Sequence, residues 1–309
     1  MNIVVYAADN NYSQQLIVSL YSLLETNSKS DIYIYILDNG ITNENKKKIS
    51  LVTEIFGSSI AFVDISNIAE LLPMKVEVNK LSLSTYARLF LTELLPTNVH
   101  KALYIDCDTV IKGSLTEIFE LNMNSFSVAG VEDCMYLSYK TGIGLSESDR
   151  YINAGILCIN LDYWRQKNMV TVFMDFIKSY NGKVPHLDQG VINGTLMDKY
   201  FLPLKYNVQS TIFSFWYYKD LLRFFSMQSY YSRKEVLEAK KHPVIIHYTS
   251  FYLQRPWFSF SLHPYKDNYR KIAKKIFPDY KLINNNIGFL QKAKCVLFKY
   301  AQPIYLLIR

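Results

Sequence analysis

The residues best placed by type and spacing to do chemistry are Asp106-Cys107-Asp108, two carboxylates one residue apart at the end of the apolar run 102–105. If that run is a buried strand, positions i and i+2 share a face, so both carboxylates emerge together. They do so at the strand end, where open α/β sheets place their ligands. Two like charges so close are costly unless something positive lies between them, and a divalent metal is the usual answer. Other candidates are scattered along the chain: Asp9-Asn10-Asn11-Tyr12, Arg88, Asn153-Ala154-Gly155, Asp188-Gln189 and His247. Each also has a plain structural reading. Asp9 and Asp188 could cap helices, Asn153-Ala154-Gly155 could be a strand bend, Arg88 a paired surface charge, and His247 a satisfied core histidine.

Asp106-Cys107-Asp108-Thr109-Val110 also fits the D-x-D-x-T/V signature of haloacid-dehalogenase-type phosphotransferases. There the first aspartate is the nucleophile and the second the general acid. Two features oppose that chemistry here. The motif comes after about a hundred residues rather than on the first strand, and no later Asp-Asp or Gly-Asp pair completes a Mg²⁺ site.

Positioning such groups requires a rigid scaffold, and the hydrophobic pattern supplies one. Ile3 to Ala7, Ile32 to Leu37 and Ile60 to Ile65 read as buried strands. Between them lie a helix with Leu16, Leu20, Leu23 and Leu24 on one face, capped by Ser13, and a helix opening at Thr42. This alternation is the mark of a mostly parallel sheet with helices on its faces. Beyond it the pattern predicts a helix from Ser82 to Leu95 carrying Arg88 and strands at 125–131 and 152–161. Asp162 to Tyr180 reads as largely helical, a further helix starts at Leu187, and a late strand runs from Val244 to His247.

At 309 residues, half of them hydrophobic, the chain can bury a sizeable core. Its four cysteines show no C-x-x-C spacing, so reduced thiols in a cytosolic protein are expected. The N-terminus reads directly as a strand rather than as a leader, and no apolar run approaches the ~18 residues a spanning helix needs. Net charge is +7, unevenly placed: residues 263–309 carry ten Lys/Arg against Asp267 and Asp279, whereas residues 1–262 sum to −1. A neutral body with a basic tail argues against nucleic acid as partner and for a surface-seeking tail. We therefore expect one α/β domain over 1–262 and a basic, aromatic helical tail over 263–309.

Taken in order, Ala7-Ala8-Asp9-Asn10-Asn11-Tyr12, Thr85-Tyr86-Ala87-Arg88-Leu89, Leu103 to Asp108, Tyr151 to Gly155, Asp188-Gln189 and His247…Pro256-Trp257 resemble glycosyltransferase family 8. The likeness is closer to its bacterial lipooligosaccharide α-1,4-galactosyltransferases than to glycogenin. That resemblance implies a single Rossmann-like nucleotide-diphospho-sugar transferase domain and a retaining, Mn²⁺-dependent transfer, with Mg²⁺ as a substitute. The donor would be UDP-galactose or UDP-glucose, and the acceptor a glycan, glycolipid or glycoprotein in bacterial surface-polysaccharide synthesis. By position, Asp106, Asp108 and His247 would bind the metal. Ala7, Ala8, Asp9, Asn11 and Tyr12 would hold the nucleoside, with Cys107, Ser250 and Arg255 near the diphosphate. Arg88, Asn153, Ala154, Gly155, Asp188 and Gln189 would line the sugar, with Gln189 and Asp188 nearest the reacting carbon. A non-catalytic sugar-nucleotide or glycan-binding protein is the remaining alternative.

One departure stands out. The family's late motif is H-x-x-G-x-x-K-P-W, whereas this chain reads from His247 to Trp257 with Ser250 for the glycine and Arg255 for the lysine, two residues longer. In the tail, Phe289, Leu290, Ala293, Val296, Leu297, Tyr300 and Ala301 form one helical stripe. Lys292, Lys294 and Lys299 lie at or beyond its rims, and Phe298 falls off it. That pattern suits a helix lying on an anionic membrane surface. It predicts a cytoplasmic protein peripheral to the inner face of the membrane, active even when ended near residue 280.

Overall fold

A computed structural model describes residues 1–72 and 83–308. Seven strands form the main sheet, in the order β3-β2-β1-β4-β7-β6-β8. They are β1 (Asn2–Asp9), β2 (Ile32–Asn39), β3 (Ser59–Asp64), β4 (Lys101–Ile105), β6 (Val128–Glu132), β7 (Ile152–Asn160) and β8 (Lys199–Phe201). Strand β7 alone runs against its neighbours β4 and β6, and the other pairings are parallel. The result is the mostly parallel α/β sheet expected. Strand β1 is apolar on both faces because both are covered, and Val4, Val5 and Tyr6 are wholly buried. A second, three-stranded sheet joins β5 (Thr109–Ile111), β10 (Ile245–His247) and β9 (Val208–Gln209), with β10 in the middle.

The longer helices are α1 (Ser13–Thr26), α2 (Asn43–Ile55), α3 (Met169–Ser179), α4 (Leu187–Thr195), α5 (Tyr218–Phe225), α6 (Arg233–Lys241), α7 (Lys266–Ile276), α8 (Phe289–Tyr300) and α9 (Gln302–Ile308). One face of the sheet packs on α1 and the small sheet, the other on α3, α4 and Trp164. Thr42 caps α2 by accepting from the Asn45 N–H.

Three local expectations change. Ser13 is the first residue of α1 rather than its cap. The short 3₁₀ turn Asn10–Tyr12 intervenes, and Asp9 caps that turn instead, accepting from the Asn11 and Tyr12 N–H groups. The helix carrying Arg88 is a 3₁₀ segment, Leu83–Phe90, followed by one α-turn, Leu91–Leu94, while its expected start at Ser82 lies outside the described residues. Asp188 is likewise not a cap: α4 begins at Leu187, after His186 and with both residues at positive φ.

The division at residue 262 is one of charge, and packing runs across it. Tyr269 and Ala273 of α7 are buried in the core against α1, and Tyr265 donates to the carbonyls at the end of α6. In α8 the residues buried are Cys295 and Phe298, whereas Phe289 and Leu290 of the apolar stripe are 83% and 76% exposed. The residue that falls off the stripe is the one that docks the helix.

Candidate active site

Five chain segments end at one edge of the sheets. The carboxyl ends of β1, β4 and β6, the start of the reversed β7 and the end of β10 deliver Asp9, Asp106, Asp133, Asn153 and His247 to a common region. Strand β4 stops at Ile105, so Asp106 to Asp108 form the crossing between the two sheets rather than a continuation of the strand. Thr109 at the start of β5 pairs with His247 at the end of β10, which sets the imidazole opposite the aspartates. His247 Nε2 lies 3.1 Å from Asp108 Oδ1 and 3.8 Å from Asp106 Oδ2. The three residues offer ligand atoms within 4.8 Å of one another.

The histidine's other nitrogen is held by Asn207, whose Oδ1 lies 2.9 Å from Nδ1 and can only accept. The proton is thereby fixed on Nδ1, and Nε2 is turned toward the carboxylates. Burial opposes a charged ring, but Asp108 more than offsets it, so the His247 pKa is raised. Reciprocally, burial works against an ionised Asp108, and His247 with Arg255 outweighs it, holding Asp108 at about 2. The two adjacent carboxylates are thus each met by a partner, Asp106 by Arg88 and Asp108 by His247 and Arg255.

Gly155 makes this convergence possible. A Cβ there would lie 2.3 Å from His247 Cε1 and 2.9 Å from Asp106 Oδ2. The residue is required by close approach, not by a positive φ.

Two arginines frame the acidic pair. Arg88, nearly fully buried, bridges Asp106 Oδ1 and Asp188 Oδ2 at 3.0 Å each, donates to the Ala154 carbonyl and lies over the Tyr104 ring. Burial drives Asp188 up to about 6 although Arg88 pulls the other way. On the far side, Arg255 contacts Asp108 Oδ2 at 3.1 Å and donates to the Tyr12 hydroxyl at 2.7 Å. A cavity of about 310 Å³ opens between them, lined by Ala7, Ala8, Asp9, Asn11, Tyr12, Arg88, Asp106, Cys107, Asp108 and Arg255, together with Ser84, Thr85 and Tyr104. Cys107 is also buried, its thiol donating to the Ala7 carbonyl. Ser250 is exposed on its loop and does not line the cavity.

Behind Asp106 lies an amide network. Gln189 Oε1 accepts from the Ala154 N–H at 2.9 Å and from Asn153 Nδ2 at 3.2 Å, and its Nε2 donates to Asp133 at 2.9 Å. Asn153 also donates to Asp133, and its oxygen accepts from Asn207 and from the Gly155 N–H. The sequence reading passed over Asp133 and Asn207. Asp133 directly follows a strand that ends at Glu132, a position that could have drawn attention. Asn207 carries no such signal, because only the β9–β10 pairing brings it to His247.

The Glycosyl transferase family 8 sequence model matches residues 3–260. General stress protein A of Bacillus subtilis is 27% identical over 272 residues, 86% of this chain and 91% of its own length. Lipopolysaccharide 1,2-glucosyltransferase of Escherichia coli K12 is 27% identical over 288 residues, 89% and 78% of the two chains. In fold, the crystal structure of the galactosyltransferase LgtC with donor and acceptor sugar analogs superposes with a TM-score of 0.73 at 22% identity, covering 94% of this chain and 99% of that one. A family match across most of the chain, on a sheet edge that gathers the motif residues, makes this protein a member of glycosyl transferase family 8.

Proposed function

We propose that the chain is a retaining transferase that moves galactose or glucose from a UDP-sugar to a glycan, glycolipid or glycoprotein acceptor in surface-polysaccharide synthesis. The observation that carries this reading is the convergence of Asp106, Asp108 and His247 beside a cavity reached by Arg88 and Arg255. Two hard oxygens and an imidazole nitrogen suit Mn²⁺, with Mg²⁺ as a substitute. The void that Gly155 leaves, and the tautomer fixed by Asn207, fit the same purpose. Asp106, Asp108 and His247 would hold the ion, which when bound acts as a Lewis acid toward the leaving diphosphate. The names of the E. coli glucosyltransferase and of LgtC support a hexose donor.

The chain's own groups then divide the work. Tyr12, Asn11 and Asp9 hold the nucleoside, the tyrosine by stacking on uracil. Arg255 meets the diphosphate, bidentately where geometry allows. Arg88, Asn153 and Asp188 position the sugar, and Gln189 faces the reacting carbon. Both acceptor positions of the Gln189 oxygen are engaged, by Ala154 and Asn153. That favours attack by the acceptor from the same face as the departing phosphate, which takes the acceptor's proton, over a covalent adduct on Gln189 or Asp188. Recovery of a glycosylated Gln189 or Asp188 by mass spectrometry would overturn this preference.

Incubation with Mn²⁺ and a panel of UDP-sugars, without acceptor, tests the whole reading. Slow release of UDP from one hexose donor is expected. Release of inorganic phosphate would point instead to Asp106 as a phosphohydrolase nucleophile, and binding without turnover to a non-catalytic sugar-nucleotide protein.

We also infer attachment to the inner face of the cytoplasmic membrane through the outer face of α8 and α9. No helix among the described residues is long and apolar enough to cross a membrane. Yet Phe289, Leu290, Tyr300, Ile304 and Leu307 are exposed beside Lys292 and Lys294. Phe289→Glu with Leu290→Glu is expected to abolish sedimentation with anionic vesicles and spare donor hydrolysis. Unchanged sedimentation would refute it.

A further inference from the structure

The late loop departs from its family pattern in being two residues longer, and its added length is spent on aromatic side chains. His247 and Arg255 stand at its two ends, and Phe251 and Tyr252 lie between them. Tyr252 stacks on Phe298 of α8, with ring centroids 4.0 Å apart and planes 7° from parallel. Its hydroxyl pairs with that of Tyr305 in α9 at 2.9 Å. Gln254, held at φ +58°, places its amide 3.8 Å from Cys295 Sγ of α8. A non-glycine residue in that region is strained and persists only where its surroundings over-determine it.

The helices are themselves anchored. Phe298 is wholly buried and lies 5.3 Å from the Phe215 ring. Gln302, also wholly buried, donates to the Ser214 carbonyl and accepts from the Trp216 N–H. The Trp216 indole donates to the Lys299 carbonyl. A rigid strut therefore runs from the 214–216 segment through α8 and α9 to the middle of the loop. At the loop's end, Arg255 donates to the Tyr248 carbonyl, to Tyr12 and to Asp108.

We propose that α8 and α9 belong to the donor site, with Phe298 and Tyr305 positioning the loop through Tyr252 so that Arg255 stays aimed at Asp108 and Tyr12. The ligand that Arg255 would meet, a nucleoside diphosphate, rests on the function proposed above, whereas the support of the loop rests on packing alone. A long loop pinned at Phe251 and Tyr252 keeps an arginine pre-organised without the tight glycine turn of the family pattern. Truncation near residue 280 removes Phe298 and Tyr305, so the shortened chain is expected to lose donor affinity, contrary to the expectation from charge alone.

The test uses residues 1–309 with Tyr252→Ala, Tyr252→Leu and Tyr252→Phe. Hydrogen–deuterium exchange of residues 249–255 is read beside UDP binding by calorimetry in the presence of Mn²⁺. Losing the stacked pair is expected to speed exchange in the loop and weaken UDP binding by roughly tenfold in the alanine variant, while the phenylalanine variant stays within about threefold of wild type. Exchange in β1 and α1 should not change. Tyr252→Leu keeps an apolar side chain but no ring, and decides the matter if the alanine variant does not fold. Unaltered loop exchange in Tyr252→Ala and Tyr252→Leu would overturn the inference. A wild-type chain that fails to bind UDP would instead count against the donor reading and leave the exchange data to decide the loop.

Discussion

Gly155→Ala is the sharpest small perturbation of the site. The added Cβ would stand 2.3 Å from His247 Cε1, 2.9 Å from His247 Nδ1 and 2.9 Å from Asp106 Oδ2. Carbon atoms rest at about 3.5–4.0 Å, so the imidazole must retreat by more than 1 Å. It cannot do so freely, because Nδ1 is tied to Asn207 and the ring is buried. A ligand shifted by that distance lowers metal affinity by about 10–100-fold, on the scale of lost outer-shell support. Overpacking costs a further 1–3 kcal/mol or so of stability. The assay is UDP-sugar hydrolysis at fixed donor and varied Mn²⁺, with circular dichroism to confirm folding. Gly113→Ala is the control, since the nearest atom to a Cβ there is Val244 Cγ1 at an ordinary 3.4 Å. A folded Gly155→Ala protein with an unchanged Mn²⁺ requirement would show that His247 does not hold the ion.

Other outcomes follow from the same geometry. Asp133→Ala takes one of two partners from each of two buried amides, leaving Asn153 Nδ2 only Gln189 Oε1 and Gln189 Nε2 only His186 Nδ1. At about 1–3 kcal/mol per lost hydrogen bond, the melting temperature should fall and kcat drop at least about tenfold, with donor KM nearly constant. Equal loss in KM would argue that Asp133 acts on ground-state binding. Arg255→Ala should raise donor KM with kcat little changed, and an unaltered KM would remove Arg255 from the diphosphate. Asp188 titrates near 6 in the folded chain, above its usual 3.8. Its contribution to stability is therefore full below pH 4 and lost as pH rises through 6, a swing of about 3 kcal/mol. The stability of Asp188→Asn relative to wild type, measured by chemical denaturation of the metal-free chain, should accordingly improve by that order between pH 4 and 7. A pH-independent difference would contradict it.

What could be read from the sequence depended on whether a signal was local. The β1–β2–β3 repeat and the central apolar strands were legible because burial on both faces leaves continuous runs of Val, Ile and Leu. Asp106 and Asp108 were legible as a pair, but the break between β4 and β5 that turns them toward β10 was not. Nor was the 3₁₀ character around Arg88, where a period of three looks much like one of 3.6. Asn207 escaped because its meaning arises only across a sheet pairing, and Asp133, although it follows a strand end, because that strand is bulged. In the tail, helical projection found the apolar stripe, which stays exposed, but not the residue that docks the helix. The body captures Phe298, the residue off the stripe, because aromatic partners at Phe215, Phe251 and Tyr252 await it there.

Asp106, Asp108 and His247 are proposed to form a metal site serving a nucleotide diphosphate. Calorimetric titration of UDP into wild type and Asp108→Ala, each with and without Mn²⁺, tests it most directly. Wild type is expected to bind UDP only when Mn²⁺ is present, and folded Asp108→Ala to bind it under neither condition. Metal-independent UDP binding that survives Asp108→Ala would contradict it.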